Sequence, residues 1–264
     1  MRWHDGAPFL LRMMMPSQVS LLIHGANGRM GQALMRLCTE GHAACRTVAA
    51  VSRRQPAQRV VDGVAHFAVS EMQAVPAFDV AIDFSLPEAF DGILALALER
   101  GAAFVSGTTG LSAAQQAALS AASARIPVLW ASNFSIGVAV LDMLVRRAAL
   151  ALPGWECDLI EMHHTRKLDA PSGTALTLAA SAESGGASPR IAAIRAGDII
   201  GEHLVQFTGP GERIELVHRA GNRDIFALGA LRAAAWLATK PAGLYSIADL
   251  VDDDAALDSG AVRR

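Results

Sequence analysis

A short apolar run, Val19–His24, leads straight into Gly25-Ala26-Asn27-Gly28-Arg29-Met30-Gly31, and no other stretch limits the possible folds as much. Leu21, Leu22 and Ile23 at its centre read as a strand buried on both faces, the kind found in parallel sheets. Glycines at 25, 28 and 31 permit a tight turn, and apolar Met30, Ala33, Leu34 and Leu37 then recur at helical spacing. A strand, a glycine turn and a helix in this order can hold a pyrophosphate against the free N–H groups of the helix start. The spacing G-x-x-G-x-x-G departs from the commoner G-x-G-x-x-G, and an ordinary strand-to-helix turn is the plain alternative. The strand–helix rhythm farther along the chain favours a dinucleotide site.

A second strand over 47–51 stops at Ser52-Arg53-Arg54, and a third over 80–84 stops at Ser85. Pro87 and Glu88 open a helix to about Arg100, with proline in its tolerated first-turn position. A strand over 103–106 is closed by Gly107-Thr108-Thr109-Gly110; Ser112 with Gln115 forms a capping box, and 127–131 is one more strand. Strands alternating with helices predict an α/β architecture: a Rossmann domain, doubly wound around a parallel sheet, over 18–133. Residues 1–17 read as an unstructured lead-in, with Met13, Met14 or Met15 as the expected natural start and no convincing signal peptide.

After Asn133 the rhythm changes. A helix over 136–152 leads to a segment at 157–162 and a His-rich loop. Strands over 191–195, 199–207 and 213–218 then come without long helices between them, which predicts a C-terminal α+β domain with a mixed or antiparallel sheet over 134–238. Helices are expected over 224–238 and 244–250, the latter in a C-terminal segment, 239–264, that returns to the Rossmann domain.

Composition removes several classes of function. Hydrophobic residues make up 52% and charged residues 18% of the 264, ample for buried cores. Lys and Arg number 23 against 25 Asp and Glu, so no basic footprint for nucleic acid exists. No apolar run reaches the roughly 20 residues that cross a membrane. Cys38, Cys45 and Cys157, odd in number and without ligand or disulfide spacing, read as small buried residues of a cytoplasmic protein.

The carboxyl edge of such a sheet is where ligands bind. At the end of the second strand, Ser52, Arg53 and Arg54 replace the carboxylate that would repel a ribose 2′-phosphate. Arginine pairs with phosphate through its planar fork, so NADPH is expected to serve at least as well as NADH; a solvated surface turn is the competing reading. The turns at 107–110 and 131–134 lie on the same edge and are expected to meet the nicotinamide half.

Glu161-Met162-His163-His164-Thr165-Arg166-Lys167-Leu168-Asp169-Ala170-Pro171-Ser172-Gly173-Thr174-Ala175 carries the most chemical information. Cationic side chains precede a Pro-Ser-Gly-Thr helix start, whose N–H groups and hydroxyls suit a carboxylate. A histidine acid near neutrality suits reduction of a C=N or C=C bond beside carboxylates. Zinc is disfavoured, because no third ligand sits at familiar spacing, and no metal is expected.

With these residues the chain resembles the dihydrodipicolinate reductase (4-hydroxy-tetrahydrodipicolinate reductase) family over nearly all of 19–250. The resemblance rests on GANGRMG at 25–31, AIDFS at 81–85, GTTG at 107–110, SNFSIGV at 132–138 and EMHHTRKLDAPSGTA at 161–175. It extends through RAGDIIGEH at 195–203 and GERIELVH at 211–218. The resemblance implies that His163 is the proton donor/acceptor, Lys167 a second proton donor, and His164, Gly173 and Thr174 holders of the substrate carboxylates. Cofactor contacts are implied at Gly25, Ala26, Asn27, Gly28, Arg29, Met30, Arg53, Gly107, Thr108, Thr109, Ala131, Ser132, Asn133 and Phe134; Ser52 replaces an acidic residue found in some members. The implied substrate is a cyclic hydroxylated imine dicarboxylate, which loses water and receives hydride to give tetrahydrodipicolinate in the diaminopimelate route to lysine. The second domain's sheet is implied to bind substrate and to build a homotetramer. Between Thr174 and Arg195 the chain is shorter than in many relatives, with Ser184-Gly185-Gly186-Ala187-Ser188-Pro189 where more helix and strand are expected.

Two other readings compete. A dehydrogenase acting on aspartate or a semialdehyde accounts for the first half but not for the run from His163 to Thr174. A non-catalytic NADPH sensor predicts binding without turnover and tolerates loss of Lys167.

Overall fold

The computed structural model describes residues 18–54 and 57–253. The lead-in expected at 1–17 and the residues beyond 253 lie outside that description.

The first layer is laid down in the expected alternation. β1 (Val19–His24), α1 (Arg29–Thr39) and β2 (Cys45–Ser52) are followed by a hairpin, β3 (Val60–Val61) and β4 (Val64–Ala68). Then come β5 (Val80–Asp83), α2 (Pro87–Arg100), β6 (Ala103–Ser106), α3 (Ala113–Ala122) and β7 (Pro127–Trp130). The predicted capping box closes α3: Ser112 Oγ accepts from Gln115 N–H while Gln115 Oε1 accepts from Ser112 N–H.

The chain then builds a second layer: α4 (Ile136–Ala151), β8 (Glu156–His163), α5 (Gly173–Ser184), β9 (Pro189–Arg195), β10 (Glu202–Gly209) and β11 (Glu212–Arg219). It returns through α6 (Asp224–Leu237) and β12 (Gly243–Tyr245).

The first sheet runs β12-β7-β6-β5-β1-β2-β4-β3, parallel except for the β3–β4 pair. Successive strands leave β1 in opposite directions, β2 to one side and β5 to the other, so a crevice opens at their carboxyl ends. Leu34 and Leu37 of α1 and Ala227, Ala230 and Ala234 of α6 cover one face, and Phe90, Ile93 and Leu96 of α2 cover the other. The second sheet runs β11-β10-β8-β9, with β8–β9 parallel and the rest antiparallel, the mixed arrangement expected. Among the described residues, α4 and α5 cover one of its faces and nothing covers the other; they pack Leu141, Val145 and Leu178 against Leu159, Val205 and Phe207.

The structure corrects three expectations. Residues 244–245 belong to β12, which pairs with the open edge of β7, so helix begins only at 247. Pairing with a free strand edge overrides the local helical pattern, and Ser246 with Asp249 caps the helix that comes next. Strand β10 starts at Glu202 rather than 199, because 196–201 turn the chain, with Gly197 at φ +50°. The return to the first layer begins with α6, ahead of residue 239, since its alanine-rich face packs closely on the first sheet.

Candidate active site

Gly25 ends β1 at φ +81°, and its N–H and that of Ala26 both donate to Val51 O at 3.0 and 3.1 Å. A Cβ at Gly25 would stand 2.4 Å from Phe84 O, one at Gly31 2.5 Å from Gly25 O, and one at Gly107 2.1 Å from the Phe84 ring. Strand ends therefore meet here backbone to backbone. Gly28 caps α1 without a side-chain acceptor, which leaves first-turn N–H groups to an external anion. This cradle fits a dinucleotide.

Beneath it lies a buried polar knot. Asp83 is fully buried and accepts from His24 Nδ1 at 2.8 Å, Thr108 Oγ1 at 2.7 Å, Ser106 Oγ at 3.0 Å and Ser85 N at 3.2 Å. Burial alone would push its pKa up, but these hydrogen bonds, led by His24, hold it below the usual carboxylate range. The knot ties the ends of β1, β5 and β6 and shapes the 107–110 turn. It also uses up Thr108, whose N–H donates to Ser106 Oγ and whose carbonyl accepts from the Trp130 indole. Thr109 is the exposed threonine of the pair.

Of the remaining cofactor-side positions, Asn27, Arg29, Arg53 and Ser132 are exposed, while Met30 and Ala131 are half-buried. Ser52 is buried, and its hydroxyl has no hydrogen-bond partner among the described residues. Phe134 is buried with its ring edge-on to Phe84, 5.3 Å between centroids. Asn133 Oδ1 accepts from Ser135 N at 2.8 Å, and its Nδ2 donates to Thr174 Oγ1 at 3.1 Å, joining the two layers.

On β8 every second residue faces α4 and α5, so Cys157, Leu159, Glu161 and His163 form one buried row. The first two are apolar; the last two are not. Glu161 accepts from His163 Nδ1 at 2.5 Å, from Ser172 N at 3.0 Å, and from both Arg195 terminal nitrogens at 2.7 and 2.9 Å. Burial opposes its charge, but Arg195, His163 and the Ser172 amide together hold it below the usual range. His203 pairs with Glu161 in the β8–β10 register and sets its ring edge-on to His163 at 5.3 Å. Among the described residues neither His203 ring nitrogen has a hydrogen-bond partner, and burial, then His163 and His218, push it down to about 4.

The loop after β8 brings up the other expected groups. Lys167 Nζ lies 2.9 Å from Asp169 Oδ2, and that carboxylate, held low chiefly by Lys167, also accepts from the Gly173 amide. Ser172 caps α5 through Ala175 N–H, as the sequence predicts for a helix start. A Cβ at Gly173 would meet nothing within 4 Å, so the space before this helix is open. His164 Nε2 lies 3.3 Å from Arg223, and burial, then Arg166 and Arg223, push the ring's pKa down.

Shared partners thus gather the candidates: Glu161 links His163 to Ser172, Asp169 links Lys167 to Gly173, and Asn133 links the cofactor-side turn to Thr174. Sequence reasoning assigned no role to His24, Asp83, Glu161, Arg195 or His203. For Glu161 a signal existed, since alternation from Cys157 turns it inward. Among the described residues no group of three or more His, Cys, Asp or Glu could hold a metal ion.

Comparison with known proteins agrees with this layout. Residues 19–134 match the family model described as dihydrodipicolinate reductase, N-terminus, and residues 137–251 match dihydrodipicolinate reductase, C-terminus. A 4-hydroxy-tetrahydrodipicolinate reductase of Stenotrophomonas maltophilia (strain R551-3) is 68% identical over 231 residues, 88% of this chain and 97% of that protein. The enzyme of the same name from Xanthomonas campestris pv. campestris (strain B100) is 63% identical over 238 residues, 90% of this chain and 100% of that one. Among solved structures, dipicolinate-bound dihydrodipicolinate reductase from Paenisporosarcina sp. TG-14 superposes with a TM-score of 0.73 at 23% identity. It covers 87% of this chain and 97% of that one, which supports the fold.

Proposed function

We propose that this chain, which belongs to the dihydrodipicolinate reductase family, reduces 4-hydroxy-tetrahydrodipicolinate to tetrahydrodipicolinate with loss of water, using NADPH at least as well as NADH. The single observation that carries this reading is that the buried Glu161–His163 pair and Lys167 lead into the start of α5, where Glu161 takes the Ser172 amide and Thr174 is bonded to Asn133 of the 131–134 turn.

The residues at 25–30 and the turns at 107–109 and 131–134 hold the dinucleotide, with Thr108 acting as scaffold. Arg53 meets the adenosine end, where no carboxylate stands to repel a 2′-phosphate. When bound, the nicotinamide supplies hydride to the substrate ring. The chain's own groups do the rest. His164, Gly173 and Thr174 receive the substrate carboxylates at the start of α5, where N–H groups favour negative charge. Lys167 exchanges its Asp169 partner for the dianion. His163 and Lys167 hold the protons that meet charge developing on ring nitrogen and carbon and leaving with water.

The active unit is a homotetramer joined through the second sheet's uncovered face, where Ile160, Met162, Leu204, Ile194 and Val217 point away from α4 and α5. The protein works in the cytoplasm, consistent with Cys38, Cys45 and Cys157 being free thiols.

The test couples the synthase that makes the substrate to NADPH oxidation. Absorbance loss that depends on the synthase is expected. Oxidation only with aspartate or a semialdehyde, or cofactor binding without turnover, overturns the assignment, and efficiencies strongly favouring NADH overturn the cofactor preference.

A further inference from the structure

We infer that Glu161 and Arg195 are positioning residues: a net-neutral pair, its carboxylate buried and its guanidinium half-buried, that fixes the tautomer and the ionisation of His163 while holding the substrate-binding helix start in register with it. The inference rests on the reading of His163 as proton donor.

A carboxylate offers about four acceptor positions. At Glu161 all are taken: two by the Arg195 fork, one by the Ser172 amide and one by His163 Nδ1. Glu161 is ionised and so can only accept, which puts a proton on His163 Nδ1. Nε2 is then the nitrogen that gains and loses the working proton. A Cβ at Gly201 would stand 3.0 Å from Nε2, so glycine keeps that atom clear.

Charge is set by the same contacts. A lone buried carboxylate would stabilise the imidazolium strongly and make it a reluctant donor. Arg195 cancels that charge through two hydrogen bonds. The other groups that face His163 leave the balance intact. His203 on β10 stays neutral with both ring nitrogens unpartnered, Lys167 in the loop is met by Asp169, and His164 is itself held toward the neutral form. The pair also reaches the substrate segment: Glu161 takes the Ser172 amide at the cap of α5, and Arg195 donates to the Asp169 carbonyl at 2.5 Å. One carboxylate therefore sets both the acid and the anion cradle.

The experiment compares Glu161→Gln, Arg195→Gln and Arg195→Lys in the full chain, with His163→Ala as reference. The His163 ring is titrated by NMR, pH–rate profiles are recorded, and NADPH binding and melting temperature serve as controls. Glu161→Gln, whose amide oxygen can still accept the Ser172 N–H and so keep the α5 cap, is expected to lower kcat roughly 100-fold with little change in KM, and to lower the His163 midpoint by about one pH unit. Arg195→Gln, which leaves the carboxylate uncompensated, is expected to raise the midpoint by about as much. Arg195→Lys restores the charge and brings the midpoint back toward wild type. Opposite shifts are beyond a merely structural role. Unchanged midpoints, or losses that only track melting temperature and NADPH binding, overturn the inference. Should Arg195→Gln fail to fold, the midpoints of the other two variants decide. Full turnover in His163→Ala overturns the assignment of His163 instead, and the NMR midpoints still decide whether the pair sets its ionisation.

Discussion

The two halves of the site are built by opposite means. At the edge of the first sheet the cradle is made of missing side chains: Gly25 lets the ends of β1 and β5 touch, Gly31 lets α1 close on the glycine turn, Gly107 makes room for the Phe84 ring, and the polar knot on Asp83 is sealed beneath them. At the end of β8 the site is made of side chains, with charged groups on a buried row bonded to one another and to the α5 cap. A backbone cradle suits a large ligand recognised mainly by its phosphates. A charged constellation suits a small one on which protons must move. Steric changes should therefore damage the first half, and changes of charge or protonation the second.

The largest effect is expected where protons move. Removing both donors, His163→Ala with Lys167→Ala, should lower kcat by about 10,000-fold while NADPH binding, followed by fluorescence, stays within roughly threefold. Near-normal turnover would erase the contrast between the halves. Next, Gly25→Ala should weaken NADPH binding about 100-fold, because the new Cβ meets Phe84 O and the residue sits at φ +81°. The KM for the proposed substrate in the same variant, read at saturating NADPH, should barely change. If both ligands suffer equally, the halves are less separate than their construction suggests. Thr174→Ala comes third: loss of the hydroxyl proposed to meet a substrate carboxylate, and of its bond to Asn133, should raise KM about tenfold with a smaller fall in kcat.

The smallest effect is on stability against pH. His203 is buried neutral and pushed from 6.5 to about 4, so the unfolded chain takes up a proton in that interval and the folded chain does not. Stability should fall as pH drops from 6.5 toward 4. His164 and His218, also shifted down, add to the same trend. His203→Phe should flatten melting temperature across this window. Below it Asp83 and Glu161, whose folded values are depressed, lose their contribution as they protonate, and that limb should persist in the variant.

Much of this could be read from the chain. Val19–His24 and the 103–106 strand form as periodicity predicts, and the glycine turn and the 161–175 run mark both halves of the site. The β3–β4 hairpin left no mark, since β3 is two exposed residues and β4 is five residues half-buried almost throughout, without alternation to detect. The polar networks were hidden for another reason. His24 and Asp83 are 59 residues apart, and Glu161 and Arg195 are 34 apart; strand order makes them neighbours. Thr108 shows the reverse case, a residue whose motif was legible but whose polar groups turn inward.

The chain passes between its two layers at two places, and each crossing grips the segment proposed to receive the substrate. On the outward passage Asn133 holds Thr174; on the way back Arg223, at the cap of α6, meets His164. Both ends of that segment are therefore tied to the crossings, and loosening either one should shift how the proposed dianion site is held.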